Sequence, residues 1–339
     1  MRAARYRGDG RFTVDEIEAV PPQAGEVQIR VAYTGICGTD LHVLHGSMDA
    51  RVSIPQAIGH EMSGTVAALG EGVTGIGVGQ QVTVMPLLPC DNCAACLAGN
   101  GHICQNLVFV GIDSPGSLQQ LWNVPTTIVV PVPVSVSLEH AALVEPVAVA
   151  CHDVRRSRLA ADEFALVVGG GPIGQLIAIV ARATGAQVLL SEPNAERRAL
   201  AASLGTEAVD LSADALAALV ESRTGGAGAD VVFEVAGAAA TALASVEYAK
   251  VRGRVVLVAI HPKPVPMNLH RVFWRELELL GVRVYERADF EQAIALLADG
   301  VIPARSLITR TVPLADTQAA FDELAAAGAM KILVDVQEG

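Results

Sequence analysis

Residues 165–185, "ALVVGGGPIGQLIAIVARATG", decide the fold. A short apolar run stops at a cluster of glycines, and Ile173, Leu176, Ile177 and Val180 follow at positions i, i+3, i+4 and i+7. That spacing predicts a helix with a buried face, and the run before it reads as a buried strand. Gly169, Gly171 and Gly174 therefore make a G-x-G-x-x-G between a strand and a helix. In that place the glycines permit a tight turn and let the backbone approach a pyrophosphate, which rests on the free N–H groups and positive end of the helix. Glu192, at the end of the next apolar run "QVLLSE", can accept hydrogen bonds from a ribose diol. The same carboxylate repels a 2′-phosphate, which favours NAD over NADP, while Arg197 and Arg198 just beyond it pull the other way. On the fingerprint alone, another nucleotide-fold enzyme such as a methyltransferase stays open.

Outward from this stretch the chain shows two textures. Downstream, "DVVFEVAG" and "RVVLVAI" alternate with helical patterns and extend a βαβ series, so the fold class is α/β with a doubly wound sheet. Upstream, from residue 26 to about 135, short β-branched runs are punctuated by Gly and Pro, the pattern of an irregular, mostly antiparallel β-rich domain. The boundaries are set at 1–150 for the β-rich domain, 151–285 for the nucleotide domain, and 286–339 for a segment that returns to the first.

With 339 residues the chain exceeds one comfortable core, which agrees with two domains. A net charge of -12 argues against nucleic acid, whose backbone demands a basic stripe. The apolar stretches are broken by Gly, Pro or acids, so no membrane span is expected. The N-terminus lacks the apolar core of a signal peptide, and the expected location is the cytoplasm.

Of the six cysteines, Cys90, Cys93, Cys96 and Cys104 crowd into the lobe at residues 88–106. Their spacing, C-x2-C-x2-C-x7-C, lets four thiolates converge tetrahedrally on one Zn²⁺ and leaves no open position, as a structural ion requires. A catalytic zinc needs fewer protein ligands. Cys37, the pair His60 and Glu61, and Glu145 are the candidates. Taken singly, each has a plain alternative as a buried thiol, a core histidine or a solvated acid. Glu145 stands in a very apolar run, "HAALVEPVAVAC", where an unpartnered carboxylate would be costly.

These motifs together, "GICGTDLHVLHG", "GHEMSGTV", the four-cysteine lobe, "ALVEPVAVACHDVRRS", "VVGGGPIG", "SEPNAERR" and "DVVFEVAG", resemble the zinc-dependent medium-chain dehydrogenases, and the match runs through nearly all of the chain. Within that family the chain looks most similar to the butanediol, sorbitol and threonine dehydrogenase branch, and closest to the 2,3-butanediol type. The resemblance implies a GroES-like β-rich catalytic domain with a Rossmann cofactor domain, two Zn²⁺ per chain (one catalytic, one structural), NAD, and a homodimer or homotetramer. It implies that Cys37 and His60 hold the catalytic zinc, with Glu61 or Glu145 completing the set, while Thr39 and His42 carry the released proton. It also places Arg197 against the adenosine end of the cofactor, and Ile173 belongs to the same binding motif. One segment departs from the pattern: "PGSLQQLW" stands where relatives commonly show Gly-Phe-Ala/Ser-Glu-Tyr, in a part that contributes to their substrate cleft.

The activity expected is hydride transfer between a secondary alcohol, a vicinal diol such as 2,3-butanediol or a polyol, and NAD, with the ketone as product. The alternatives are a threonine 3-dehydrogenase-like enzyme and a non-catalytic zinc-stabilised nucleotide-binding protein. The partner expected is this small molecule.

Overall fold

The computed structural model describes residues 1–261, 263–326 and 329–338. The chain divides into two compact units, Met1–Glu145 with Phe290–Gly339, and Pro146–Asp289. The sequence put these divisions at 150/151 and 285/286. The first falls inside one continuous helix, Val144–Ser157, where composition changes too gradually to mark it.

The unit Pro146–Asp289 is built on a six-stranded parallel sheet. Its strands lie in the order Glu207–Val209, Gln187–Ser191, Phe164–Val168, Ala229–Glu234, Ala249–Leu257 and Glu278–Gly281. The strand order reverses between Phe164–Val168 and Ala229–Glu234, the arrangement of a doubly wound α/β sheet, which places a ligand at the carboxyl ends of the strands. The apolar runs read from the sequence are the central strands: Leu166, Val167, Val231, Val232 and Val255 are fully buried. After the first strand, the helix Pro172–Ala183 begins at the glycine cluster and carries Pro in its first turn, where a missing N–H costs nothing. Leu176 to Ala181 are all buried, so this helix is enclosed more completely than a single apolar face predicts.

The other unit is dominated by a seven-stranded, mostly antiparallel sheet. Its path is Val129–Pro131, Gln81–Val84, Glu61–Leu69, Glu26–Gly35, Ile332–Asp335 and Arg310–Pro313, with Leu121–Pro125 also paired to Glu26–Gly35. The strand Ile332–Asp335 pairs antiparallel with Glu26–Gly35, matching Leu333 to Gly35, so the end of the chain stands beside an early strand. On the other edge of Glu26–Gly35, Gly35 is matched to Glu61 and Thr34 to Met62. This register fixes which side chains meet just beyond Gly35.

Part of the departing segment "PGSLQQLW" is packed into the unit. Ser117, Leu118 and Trp122 are 0%, 1% and 2% exposed. Ser117 Oγ lies 3.0 Å from Thr34 Oγ1, Trp122 Nε1 donates to the Pro115 carbonyl, and Ala4 N donates to the Leu118 carbonyl. Pro115 is exposed and Gln120 and Leu121 are half-buried, so the segment is partly core and partly accessible. Among the described residues, no helix is long and apolar enough to cross a membrane.

Candidate active site

Cys37 precedes the short helix Gly38–Leu44 and caps it: its Sγ accepts from Thr39 N at 3.1 Å, while Asp40 Oδ2 accepts from Cys37 N at 3.0 Å. This reciprocal capping fixes the thiol at the helix start. His60 lies just before the strand Glu61–Leu69, and its Nε2 stands 3.1 Å from Cys37 Sγ. Its other ring nitrogen, Nδ1, faces Asp40 Oδ1 at 3.5 Å, and the ring meets Phe109 edge-on with centroids 4.9 Å apart. Glu61 completes the group, since one ligand atom from each of Cys37, His60 and Glu61 falls within 4.8 Å of the others. Gly35 makes this possible, because a Cβ there would collide with the Glu61 carboxylate.

Lys331 is the residue the sequence did not single out. It is 4% exposed, and its Nζ donates to both oxygens of Glu61 at 2.6 and 2.8 Å and to the Ile36 carbonyl at 3.2 Å. Burial opposes its charge, but the fields of Glu61 and Cys37, with a smaller share from Glu145, hold its pKa above the usual lysine value. Glu145 itself is buried, in the first turn of Val144–Ser157, and lies outside the Cys37–His60–Glu61 group.

Burial pushes the Cys37 thiol up. Burial also opposes protonation of His60, yet Cys37 and Asp40 outweigh it and keep the imidazole protonated well above its usual range. A metal ligand must give up its proton, so a divalent cation bound here would displace the protons on this sulfur and imidazole. The donor set fits zinc: sulfur and imidazole nitrogen converge, and the imidazole is backed by a carboxylate on its far nitrogen. Thr39 is half-buried beside the thiol, and His42 is exposed on the same short helix.

The four-cysteine lobe is closed by its own backbone. Sulfur separations are 3.5 Å for Cys93–Cys96, 3.8 Å for Cys93–Cys104 and 3.4 Å for Cys90–Cys104, and all four cysteines are free of disulfides. A tetrahedron of thiolates at Zn–S ≈ 2.3 Å has edges of about 3.8 Å, so the lobe fits this ion and leaves no position for substrate. The backbone N–H groups of Cys96 and Gln105 pull the Cys93 thiol down to about 6, whereas desolvation and the neighbouring thiols raise Cys96 to about 12. Such a spread marks thiols competing for protons at close range.

In the other unit a cavity of about 530 Å³ opens at the carboxyl edge of the parallel sheet, lined by Gly169, Gly171, Glu192, Arg197, Asp210 and Thr241 among others. Gly169 has φ +107°, and a Cβ on Gly174 would collide with the Gly169 carbonyl, so both are held to glycine. A Cβ on Gly171 would meet only open space, as close approach of a ligand requires. Gly174 and Ile173 belong to the helix behind this turn and not to the cavity lining. Glu192 Oε2 accepts from Gly170 N at 2.7 Å and Oε1 from Asn194 N at 2.8 Å, while Arg197 Nη1 is 4.0 Å away. Gly170, outside the G-x-G-x-x-G count, is closely packed too: a Cβ would come within 3.0 Å of Glu192 and 2.9 Å of Leu190.

The chain matches the alcohol dehydrogenase GroES-like domain over residues 23–134 and the zinc-binding dehydrogenase domain over residues 172–299. It is 54% identical to 2-dehydro-3-deoxy-L-galactonate 5-dehydrogenase of Pseudoalteromonas atlantica, over 95% of this chain and 94% of that protein. It is 34% identical to (R,R)-butanediol dehydrogenase of Neisseria gonorrhoeae, over 93% and 92%. A solved zinc-binding dehydrogenase from Sinorhizobium meliloti bound to NADP superposes with a TM-score of 0.91 at 32% identity, covering 98% of each chain. Sorbitol and L-threonine 3-dehydrogenases are also among the relatives. The chain is a dehydrogenase and belongs to the zinc-binding medium-chain dehydrogenase family, with a GroES-like domain and a Rossmann domain.

Proposed function

We propose that this enzyme oxidises a secondary hydroxyl flanked by further hydroxyls in a polyhydroxy acid of the 2-keto-3-deoxy class, with NAD as acceptor and a catalytic and a structural zinc in each chain. The observation that carries the chemistry is the convergence of Cys37, His60 and Glu61 on one point, with His60 backed by Asp40. The substrate class rests on the 54% identity to a dehydrogenase named for C5 of such an acid, against 34% for the butanediol and threonine enzymes. Oxidation at C5 with a neighbouring hydroxyl is oxidation of a vicinal diol, so the diol expectation survives within a larger, anionic substrate.

When bound, zinc supplies a Lewis acid that brings the substrate hydroxyl's pKa toward neutrality, and the nicotinamide supplies the hydride acceptor. Cys37 and His60 would hold the ion, with Glu61 as third donor. Asp40 Oδ1, 3.5 Å from His60 Nδ1, sets a negative charge beside the imidazole. Lys331 holds Glu61 within the group and balances its charge. Thr39 takes the hydroxyl proton and His42, exposed on the same helix, passes it to solvent. Glu192, fixed by two backbone N–H groups, presents a carboxylate to the ribose diol and opposes a 2′-phosphate, which supports NAD.

The test is initial rates of NADH and NADPH formation on a 2-keto-3-deoxy aldonate, 2,3-butanediol, sorbitol and L-threonine. The expected result is a kcat/KM at least about 100-fold higher on the sugar acid with NAD than on any other pair. A preference for threonine or for NADP by the same margin would overturn the substrate or the cofactor assignment.

A further inference from the structure

The unit that carries the Cys37–His60–Glu61 group also holds a recess of about 540 Å³, formed by the short helix Leu138–Ala141 and the segment 305–311. Its walls include Ser137, Glu139, His140, Arg305, Thr309 and Arg310, and none of Cys37, His60 and Glu61. Among the described residues, Arg305 has no hydrogen-bond or ion-pair partner, so its guanidinium keeps all of its N–H groups for a ligand. Arg310 spends Nη1 on Glu323 at 2.9 Å and retains the others.

The hydroxyls point to the same chemistry. Thr309 Oγ1 accepts from Met330 N at 2.9 Å and from Lys331 N at 3.3 Å, so both of its lone pairs are taken and its O–H is what it can offer. Ser137 Oγ accepts from His140 N at 3.2 Å, and its O–H is likewise uncommitted among the described residues. Glu139, the acidic residue of these walls, accepts from the Thr311 hydroxyl at 3.3 Å. The recess is thus rich in donors, in a chain whose net charge of -12 repels anions from most of its surface. Guanidinium forks beside hydroxyl donors match the oxygens of a phosphate group. The volume is that of a small-molecule site, larger than one phosphate needs.

We propose that this recess binds a phosphate group, free or esterified to a small hydroxylated molecule, with Arg305 as its main anchor and Arg310, Thr309 and Ser137 as further donors. The test is calorimetry on the zinc-loaded protein at fixed ionic strength, with saturating NADH to keep phosphate out of the glycine-turn cavity. The probes are inorganic phosphate and glycerol 3-phosphate, and the tighter of the two tells free phosphate from a monoester. The expected result is millimolar binding of at least one probe, weakened about tenfold in Arg305→Gln and about threefold in Arg305→Lys, which keeps the charge and loses the fork. Arg252→Gln removes an equal charge from the other unit and should bind as wild type does. Binding of neither probe at about 20 mM would overturn the proposal. So would binding that Arg305→Gln leaves unchanged, which places the anion elsewhere, or equal weakening in Arg305→Gln and Arg252→Gln, which makes it an effect of overall charge.

Discussion

The 90–104 lobe and the Cys37–His60–Glu61 group lie in the same compact unit and are held by different means. In the lobe, four sulfurs are brought together within fifteen residues and steadied by nearby N–H groups, such as Asn106 N on Cys104 Sγ at 3.2 Å. In the other group the donors are of three kinds and come from two segments, Cys37 and the pair His60–Glu61, and Glu61 is paired with Lys331, 270 residues away. A locally closed set can hold an ion without the rest of the unit, whereas the open set exists only when the sheet has formed. Damage to one should therefore leave the other intact.

The sharpest way to break this contrast is Cys37→Ser. It is expected to lower kcat/KM by about 10³- to 10⁴-fold, because several kcal/mol of transition-state stabilisation depend on that ion, while Cys93→Ser should keep turnover within a few-fold. Steady-state kinetics on both variants decide it; comparable losses would mean that the two groups are one functional unit. Next in size is Lys331→Met, which strands the buried Glu61 carboxylate. Urea unfolding should show about 3–5 kcal/mol of lost stability, and the double variant with Glu61→Gln should recover most of it. A Lys331→Met protein as stable as wild type would contradict the pairing seen at 2.6 and 2.8 Å.

Asp40→Asn keeps the capping oxygen but removes the charge facing His60, and zinc affinity at the open group should fall about 10- to 100-fold. Competition with a chromogenic chelator reads this, and the lobe ion should be released at an unchanged chelator concentration. The smallest effect belongs to the proton route. His42→Ala is expected to lower kcat about tenfold with the KM unchanged, and added imidazole should restore part of the rate. No change in kcat would remove His42 from that route.

What the sequence disclosed follows the same division. The lobe is legible because its ligands are close in the chain, and the glycine fingerprint is legible because strand, turn and helix are consecutive. Cys37, His60 and Glu61 could be named from their motifs, yet their meeting depends on the register that matches Gly35 to Glu61. Lys331 could not be read at all, since a lone lysine before "ILVDV" looks like an exposed strand end until the strand Ile332–Asp335 is placed beside Glu26–Gly35. Asp40 carried a signal that went unused, because an acid three residues after a helix-capping side chain is a capping pattern. Gly170 escaped because the fingerprint counts only the glycines around it.

Zinc content per chain, measured by plasma mass spectrometry on wild type, His60→Ala and Cys93→Ser prepared identically, tests the independence of the two groups most directly. The expected values are two, one and one, with the dehydrogenase activity lost in His60→Ala alone. Two zincs remaining in His60→Ala, or a single variant that empties both groups, would contradict it.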